Sequence, residues 1–139
     1  MCKLAVMRAR LILILLLLSV SGSVFGQRIS DGNYSTIGYI KSDGTVQSAS
    51  YTTIGHINLD GKVQNANYST IGYIKSDGTV QNANYSTVGY IKDDGRVQDA
   101  SYRTIGHVKD GRIQNANYRT IAHYSGVKDR WAAFFVFFW

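Results

Sequence analysis

Residues 68–84 read YSTIGYIKSDGTVQNAN, and this stretch decides the fold because it recurs along the chain. The preceding 17 residues from Tyr51 read YTTIGHINLDGKVQNAN, and those from Tyr34 read YSTIGYIKSDGTVQSAS. After it come YSTVGYIKDDGRVQDAS from Tyr85 and the one-residue-shorter YRTIGHVKDGRIQNAN from Tyr102. A fixed period of this kind marks units that stack on one another to share a core. Each unit splits at an Asp-Gly. The outgoing half, such as Tyr34–Ile40, is rich in Tyr, Thr and Ile, which suit a pleated surface, and the return half, such as Thr45–Ala49, carries Val and Ala among polar residues. Asp43-Gly44, Asp60-Gly61, Asp77-Gly78, Asp94-Gly95 and Asp110-Gly111 stand where the chain reverses. Gly accepts positive φ there, and Asp tolerates it while bonding nearby backbone. The four longer units suit three-residue turns with a bulge, and Lys109-Asp110-Gly111-Arg112 suits a two-residue turn. Loops this short join antiparallel strands.

Outward from the array, both ends are half-units. Residues 28–33 align with the return half 112–117, whereas Tyr118–His123 is an outgoing half without a clean return. Pairing the two would close a ring and remove both exposed edges. The expectation is therefore an all-β, pseudo-symmetric closed ring or shallow barrel. It consists of hairpins starting at Tyr34, Tyr51, Tyr68, Tyr85 and Tyr102, plus a hairpin split between residues 27–33 and 118–130. The repeat then gives way to WAAFFVFFW, residues 131–139. Nine largely aromatic residues left in water would aggregate, and they are about half of what a membrane span needs, so the tail is expected to fill the centre of the ring, as helix or as strand. The expected core and channel residues are Ile37, Ile40, Val46, Ile54, Ile57, Val63, Ile71, Ile74, Val80, Val88, Ile91, Val97, Ile105, Val108, Ile113 and Ile121. The tail adds Phe134, Phe135, Phe137 and Phe138.

The first 26 residues have a different character. Lys3, Arg8 and Arg10 precede the apolar run Leu11–Leu18, and Ser21-Gly22-Ser23 and Val24-Phe25-Gly26 follow. This is the layout of a secretory signal peptide cleaved before Gln27, and its apolar run is about half the length of a spanning helix. The domain reading is a leader over 1–26 and one repeat domain over 27–139, with a periplasmic or extracellular destination. The formal net charge of +6 in 139 residues shrinks without the leader. Three of the 15 basic residues lie within it, which leaves twelve against nine Asp, and no Cys. These basic residues are dispersed among Asp, so nucleic acid is not an expected partner.

The iterated G-x-I-x-x-D-G-x-V-x-x-A, carried by Gly38, Ile40, Asp43, Gly44, Val46 and their repeats, together with Trp131–Phe138, resembles the β-flower family of bacterial exported proteins. The resemblance spans residues 27–139. It implies a shallow barrel of hairpin petals around an apolar channel, with an architecture similar to the tubby C-terminal barrel. The family is best known in a four-fold form, and the unit count here departs from it.

Candidate chemistry is sparse. One Asp per separate hairpin tip does not converge oxygens as calcium requires, and turn chemistry accounts for it, so no metal and no cofactor is expected. A rim position alternates between Tyr and His: Tyr39, His56, Tyr73, Tyr90, His107 and His123. Thr36, Thr53, Thr70, Thr87, Thr104 and Thr120 form a ladder, as do the six Tyr two positions earlier. Catalysis needs one nucleophile, one base and one orienting group, which breaks internal symmetry, and the repeat offers no such constellation. Membrane-spanning strands need about 9–11 residues, and these halves are shorter. The expectation is a non-enzymatic structural or binding module, monomeric, whose apolar channel holds a lipid or acyl chain or meets a membrane surface. The alternative is a carbohydrate- or surface-binding protein using the Tyr/His/Asn rim. Expression of the full chain in an export-competent host should yield a product whose intact mass begins at Gln27, and a secreted product retaining Met1 would contradict the leader.

Overall fold

The computed structural model describes residues 27–139; the leader reading lies outside the described residues. Twelve short antiparallel strands close into a barrel in which every neighbour in sequence is a neighbour in space. They are β1 (Arg28–Asp31), β2 (Thr36–Ile40), β3 (Thr45–Ser48), β4 (Thr53–Ile57), β5 (Lys62–Asn65) and β6 (Thr70–Ile74), then β7 (Thr79–Asn82), β8 (Thr87–Ile91), β9 (Arg96–Asp99), β10 (Thr104–Lys109), β11 (Arg112–Asn115) and β12 (Thr120–Ser125). One helix, α1 (Asp129–Phe137), follows. The ring closes where β1 pairs with β12, in register Arg28↔Ser125 to Asp31↔Ala122. The two half-units thus make the sixth hairpin.

The Asp-Gly turns follow from their sequences. In the longer units Lys41 N–H donates to the Thr45 carbonyl and Gly44 N–H to the Lys41 carbonyl, with Gly44 at φ 91°. In the shorter unit Lys109 pairs with Arg112, and Asp110 and Gly111 both take positive φ, 52° and 80°, as a two-residue primed turn demands. At the opposite end the turns are Asx-type. The Asn65 side-chain oxygen accepts from Asn67 and Ser69 N–H, and Asn82, Asp99, Asn115 and Asp31 do likewise.

Inside, six cross-strand pairs form a belt: Ile40↔Val46, Ile57↔Val63, Ile74↔Val80, Ile91↔Val97, Val108↔Ile113 and Ile29↔Tyr124. All twelve side chains are buried. Two residues before the outgoing-strand member of each pair, on the same face by strand alternation, stand Gly38, Gly55, Gly72, Gly89 and Gly106, with Ala122 in the sixth. Here α1 and its C-terminal residues enter. Gly38 faces Phe135, Gly55 faces Trp139, Gly72 faces Phe134, Gly89 faces Phe138 and Gly106 faces Phe137. Each glycine also lies under the carbonyl of a Gln on the adjacent strand. A methyl at Gly89 would sit 2.6 Å from the Phe138 ring and 2.5 Å from the Gln98 carbonyl oxygen. Four of these rings occupy the room that an absent side chain leaves, and Phe134 lies at ordinary contact distance over Gly72. Higher on the helix Trp131, Ala132, Ala133 and Phe134 are buried with the Ile/Val belt.

The channel is therefore filled, and the tail is helical. A further difference concerns Ile37, Ile71 and Val88, expected in the core but 37–38% exposed. Every outgoing strand has a β-bulge at this position: Ile29 pairs with Gly38 and Ser30 with Thr36, so Ile37 has no partner. Counting back from the buried Ile40, strand alternation sets Ile37 on the outer face with Tyr39, and the bulge leaves it unpaired there. The equivalent Ile54, Ile105 and Ile121 are half-buried and touch the core.

Gly89→Ala should cost about 1–3 kcal/mol in urea unfolding, because neither the Phe138 ring nor the neighbouring backbone can yield freely. Gly32→Ala is its control, because Gly32 occupies the slot held by Ala49, Ala66, Ala83, Ala100 and Ala116 in the other units. A methyl there lies 3.3 Å from the Thr120 carbonyl oxygen, a tight contact that needs a shift of only a few tenths of an ångström. Since the other five units hold Ala in this slot, the change should alter stability by less than about 1 kcal/mol.

Candidate functional site

Strand alternation turns the rim residues outward, and each one meets a tyrosine from the next unit. Tyr39 stacks on Tyr51, His56 on Tyr68, Tyr73 on Tyr85, Tyr90 on Tyr102 and His107 on Tyr118. His123 stacks on Tyr34 and completes the circle across the chain ends. Ring centroids are 4.0–4.8 Å apart and the planes are within 7–14° of parallel. The result is a girdle of six aromatic pairs around the barrel wall.

The second member of each pair sits in the Asx turn, three residues after its Asx or Ser residue. Its N–H donates to the carbonyl of that residue, as Tyr68 does to Asn65. This turn forces the tyrosine into the left-handed region, φ 64–67° at Tyr34, Tyr51, Tyr68, Tyr85, Tyr102 and Tyr118. A Cβ there costs about 1–2 kcal/mol per residue, and an aromatic stack returns about 0.5–1.5 kcal/mol. The two nearly cancel, so each ring is pinned in place at little net cost. One face of each ring lies against its partner, yet 64–68% of each residue remains exposed. The Tyr39 and Tyr51 hydroxyls are 3.0 Å apart and those of Tyr73 and Tyr85 3.1 Å. The shared hydroxyl hydrogen bonds hold Tyr51 and Tyr73 above the ordinary phenol value.

The three histidines each lie on a tyrosine, and no three His, Cys, Asp or Glu side chains converge among the described residues. At the other end the Asp carboxylates serve the turns. The Thr45 N–H donated to Asp43, the Thr79 N–H donated to Asp77 and the Arg96 N–H donated to Asp94 hold these groups below the usual carboxylate range.

The start of α1 is tied to the wall. Arg130 donates to the Ser76 carbonyl at 2.8 Å and to Asp93 at 2.5 Å, the Lys128 ammonium lies 4.5 Å from the Trp131 ring centroid, and the Tyr124 hydroxyl donates to Asp129 at 2.6 Å. A cleft of about 410 Å³ remains between this start and the β8–β9 turn, lined by Ile91, Asp93, Val108, Lys128, Arg130 and Trp131. At the far mouth Phe135, Phe137 and Phe138 are half-buried and Trp139 is 39% exposed.

The family described as 5-fold beta-flower protein matches residues 26–139. This chain is a member of the β-flower family. Five continuous hairpins carry its five plug-facing glycines, and the paired chain ends supply the sixth petal. No curated protein and no solved structure matches the chain. In this β-flower the tyrosine of each stack escaped the list of rim residues drawn from the sequence. Its signal is a spacing of 12 residues from each rim position in the 17-residue units, as from Tyr39 to Tyr51. A tyrosine with left-handed backbone is not what residue preference suggests, which hid the pairing.

Burial, and then the hydrogen bond to Asp129, push the Tyr124 phenol far above its ordinary value of 10.0. The folded chain keeps that proton after the unfolded chain has lost it, so this contribution is whole below about pH 10 and is lost as the pH rises through the folded value. Tyr124→Phe should cost about 1 kcal/mol at neutral pH through the lost hydrogen bond, and should flatten the fall of Tm above about pH 10 relative to wild type.

Proposed function

We propose that this β-flower is an exported, non-catalytic binding module that presents its aromatic girdle to glycans. The observation that supports this reading is the six-fold set of pinned, parallel-stacked rings with two-thirds of each turn tyrosine open to solvent. A rigid ring with an exposed face and a polar edge offers a platform for the C–H face of a sugar, and binds with little further loss of side-chain freedom. On one side of five rim residues a Gln supplies a neutral donor and acceptor for hydroxyls, and on the other Arg28, Lys62, Arg96 and Arg112 stand opposite Tyr39, Tyr73, His107 and His123 as cationic donors. Six repeated tyrosine platforms favour a repetitive ligand such as a polysaccharide, because weak contacts reinforce one another when they are linked. Near-identical repeats suit repeated binding, whereas catalysis would call for one differentiated unit. Export is part of the proposal, supported by the leader-like first 26 residues.

A lipid or acyl-chain reading is favoured by one feature, the half-exposed aromatic mouth at Phe135, Phe137, Phe138 and Trp139. With α1 filling the barrel, an acyl chain would occupy that mouth rather than a through-channel.

Retention on immobilised polysaccharides in affinity electrophoresis should fall about 5–10-fold with Tyr68→Ala, and should vanish when Tyr34, Tyr68 and Tyr102 are all changed to Ala, with the strand signature in circular dichroism preserved. Retention that is unaffected by the triple change would exclude the girdle. A lipid-mass adduct in native mass spectrometry, lost on Trp139→Ala, would move the site to the mouth.

A further inference from the structure

The girdle is not uniform. Three of its stacks join tyrosine to tyrosine, and three join tyrosine to histidine. We infer that the Tyr39–Tyr51, Tyr73–Tyr85 and Tyr90–Tyr102 stacks are oxidative cross-linking sites, each closing into a dityrosine when a haem peroxidase and hydrogen peroxide act on the folded protein. This inference is independent of the glycan reading.

Geometry carries it. Coupling of two phenols joins carbons ortho to the hydroxyls, so the two rings must lie together with their hydroxyl ends aligned. In the first two stacks the ring centroids are 4.6 and 4.8 Å apart, the planes are 14° from parallel, and the hydroxyl oxygens are 3.0 and 3.1 Å apart. Nearly parallel rings with adjacent oxygens also have adjacent ortho carbons. In the third stack the centroids are 4.7 Å apart and the planes 12° from parallel. Access is equally plain, because Tyr51, Tyr85 and Tyr102 are 64–66% exposed and an electron-transfer partner can reach them directly. The left-handed turn holds one ring of each pair, and the strand holds the other, so the encounter that limits coupling between free phenols is already made.

The chemistry balances. Each tyrosine gives up one electron and its phenolic proton, and the two phenoxyl radicals form one carbon–carbon bond. The two ortho hydrogens then return to the oxygens as the rings regain aromaticity. Each cross-link has released two electrons and two protons, which reduce one hydrogen peroxide to two waters through the peroxidase. The ten tyrosines sort cleanly. Six lie in these stacks, Tyr34, Tyr68 and Tyr118 face histidines, and Tyr124 is buried against Asp129. Each cross-link would tie an outgoing strand to the turn that begins the next petal, so petals could no longer part.

The experiment treats the dilute exported protein with peroxidase and peroxide, with N-acetyltyrosine coupled in a parallel vessel to prove the oxidant active. The expected product is monomeric, shows dityrosine fluorescence and has lost two hydrogens per stack, six at completion. After proteolysis the peptide bearing Tyr39 should be joined to that bearing Tyr51. Tyr39→Phe keeps a stacked ring, and should lose that cross-link alone, lowering the hydrogen loss from six to four. Protein unfolded in urea should instead couple Tyr34, Tyr68 and Tyr118 as readily as the others. Folded protein that yields chiefly intermolecular dimers, that couples Tyr34, Tyr68 or Tyr118 as often as the stacked pairs, or that loses no hydrogen while N-acetyltyrosine is consumed would overturn the inference.

Discussion

The seating of five aromatic rings on five glycines is the contact on which the rest of this barrel depends. Twelve strands of four to six residues bury only a thin belt of Ile and Val, too little for any one hairpin to stand alone. The helix supplies the missing core from the centre, and it fits because the wall is hollow at one level and full at the next. Where the wall carries Ile and Val, the buried helix includes Ala132 and Ala133; where the wall carries glycine, the chain presents Phe and Trp. Barrel and plug are therefore a single packing solution, and neither half has a core without the other.

The same glycines serve the wall itself. Each lies beneath a Gln carbonyl of the adjacent strand and directly follows an apolar bulge residue. Bulges sharpen the local bend, and six of them, one per outgoing strand, help a sheet of such short strands close on itself.

Much of this was legible in residues 27–139. The period of 17, the Asp-Gly turns and the half-units at both ends were enough to derive a closed ring, and the loss of one residue at Lys109–Arg112 foretold the tighter turn. What stayed hidden was of two kinds. Ile37, Ile71 and Val88 stand at the surface although their apolar character suggested the core. Each lies three residues before a buried Ile, so strand alternation turns it to the opposite face, and the bulge leaves it without a cross-strand partner. The girdle was half visible: the rim residues declared themselves by the Tyr/His exchange, but their partners required a tyrosine in a conformation that residue statistics assign to Gly or Asn. The match of glycine and aromatic could not be read from the sequence either, since WAAFFVFFW has six aromatic residues for five glycines and nothing in it says which ring meets which petal.

The join between β1 and β12 has a consequence for how the chain acquires its shape. A ribbon that grows petal by petal leaves one face of its first strand unclaimed until the last strand arrives, and the helix that fills the centre comes later still. Local hairpins can form early, since their loops are two or three residues long, but the circle and its axle must be completed together at the end. A chain made from its N-terminus would wait as an open, edge-exposed arc until β12 and α1 were in place, and would then shut in one step.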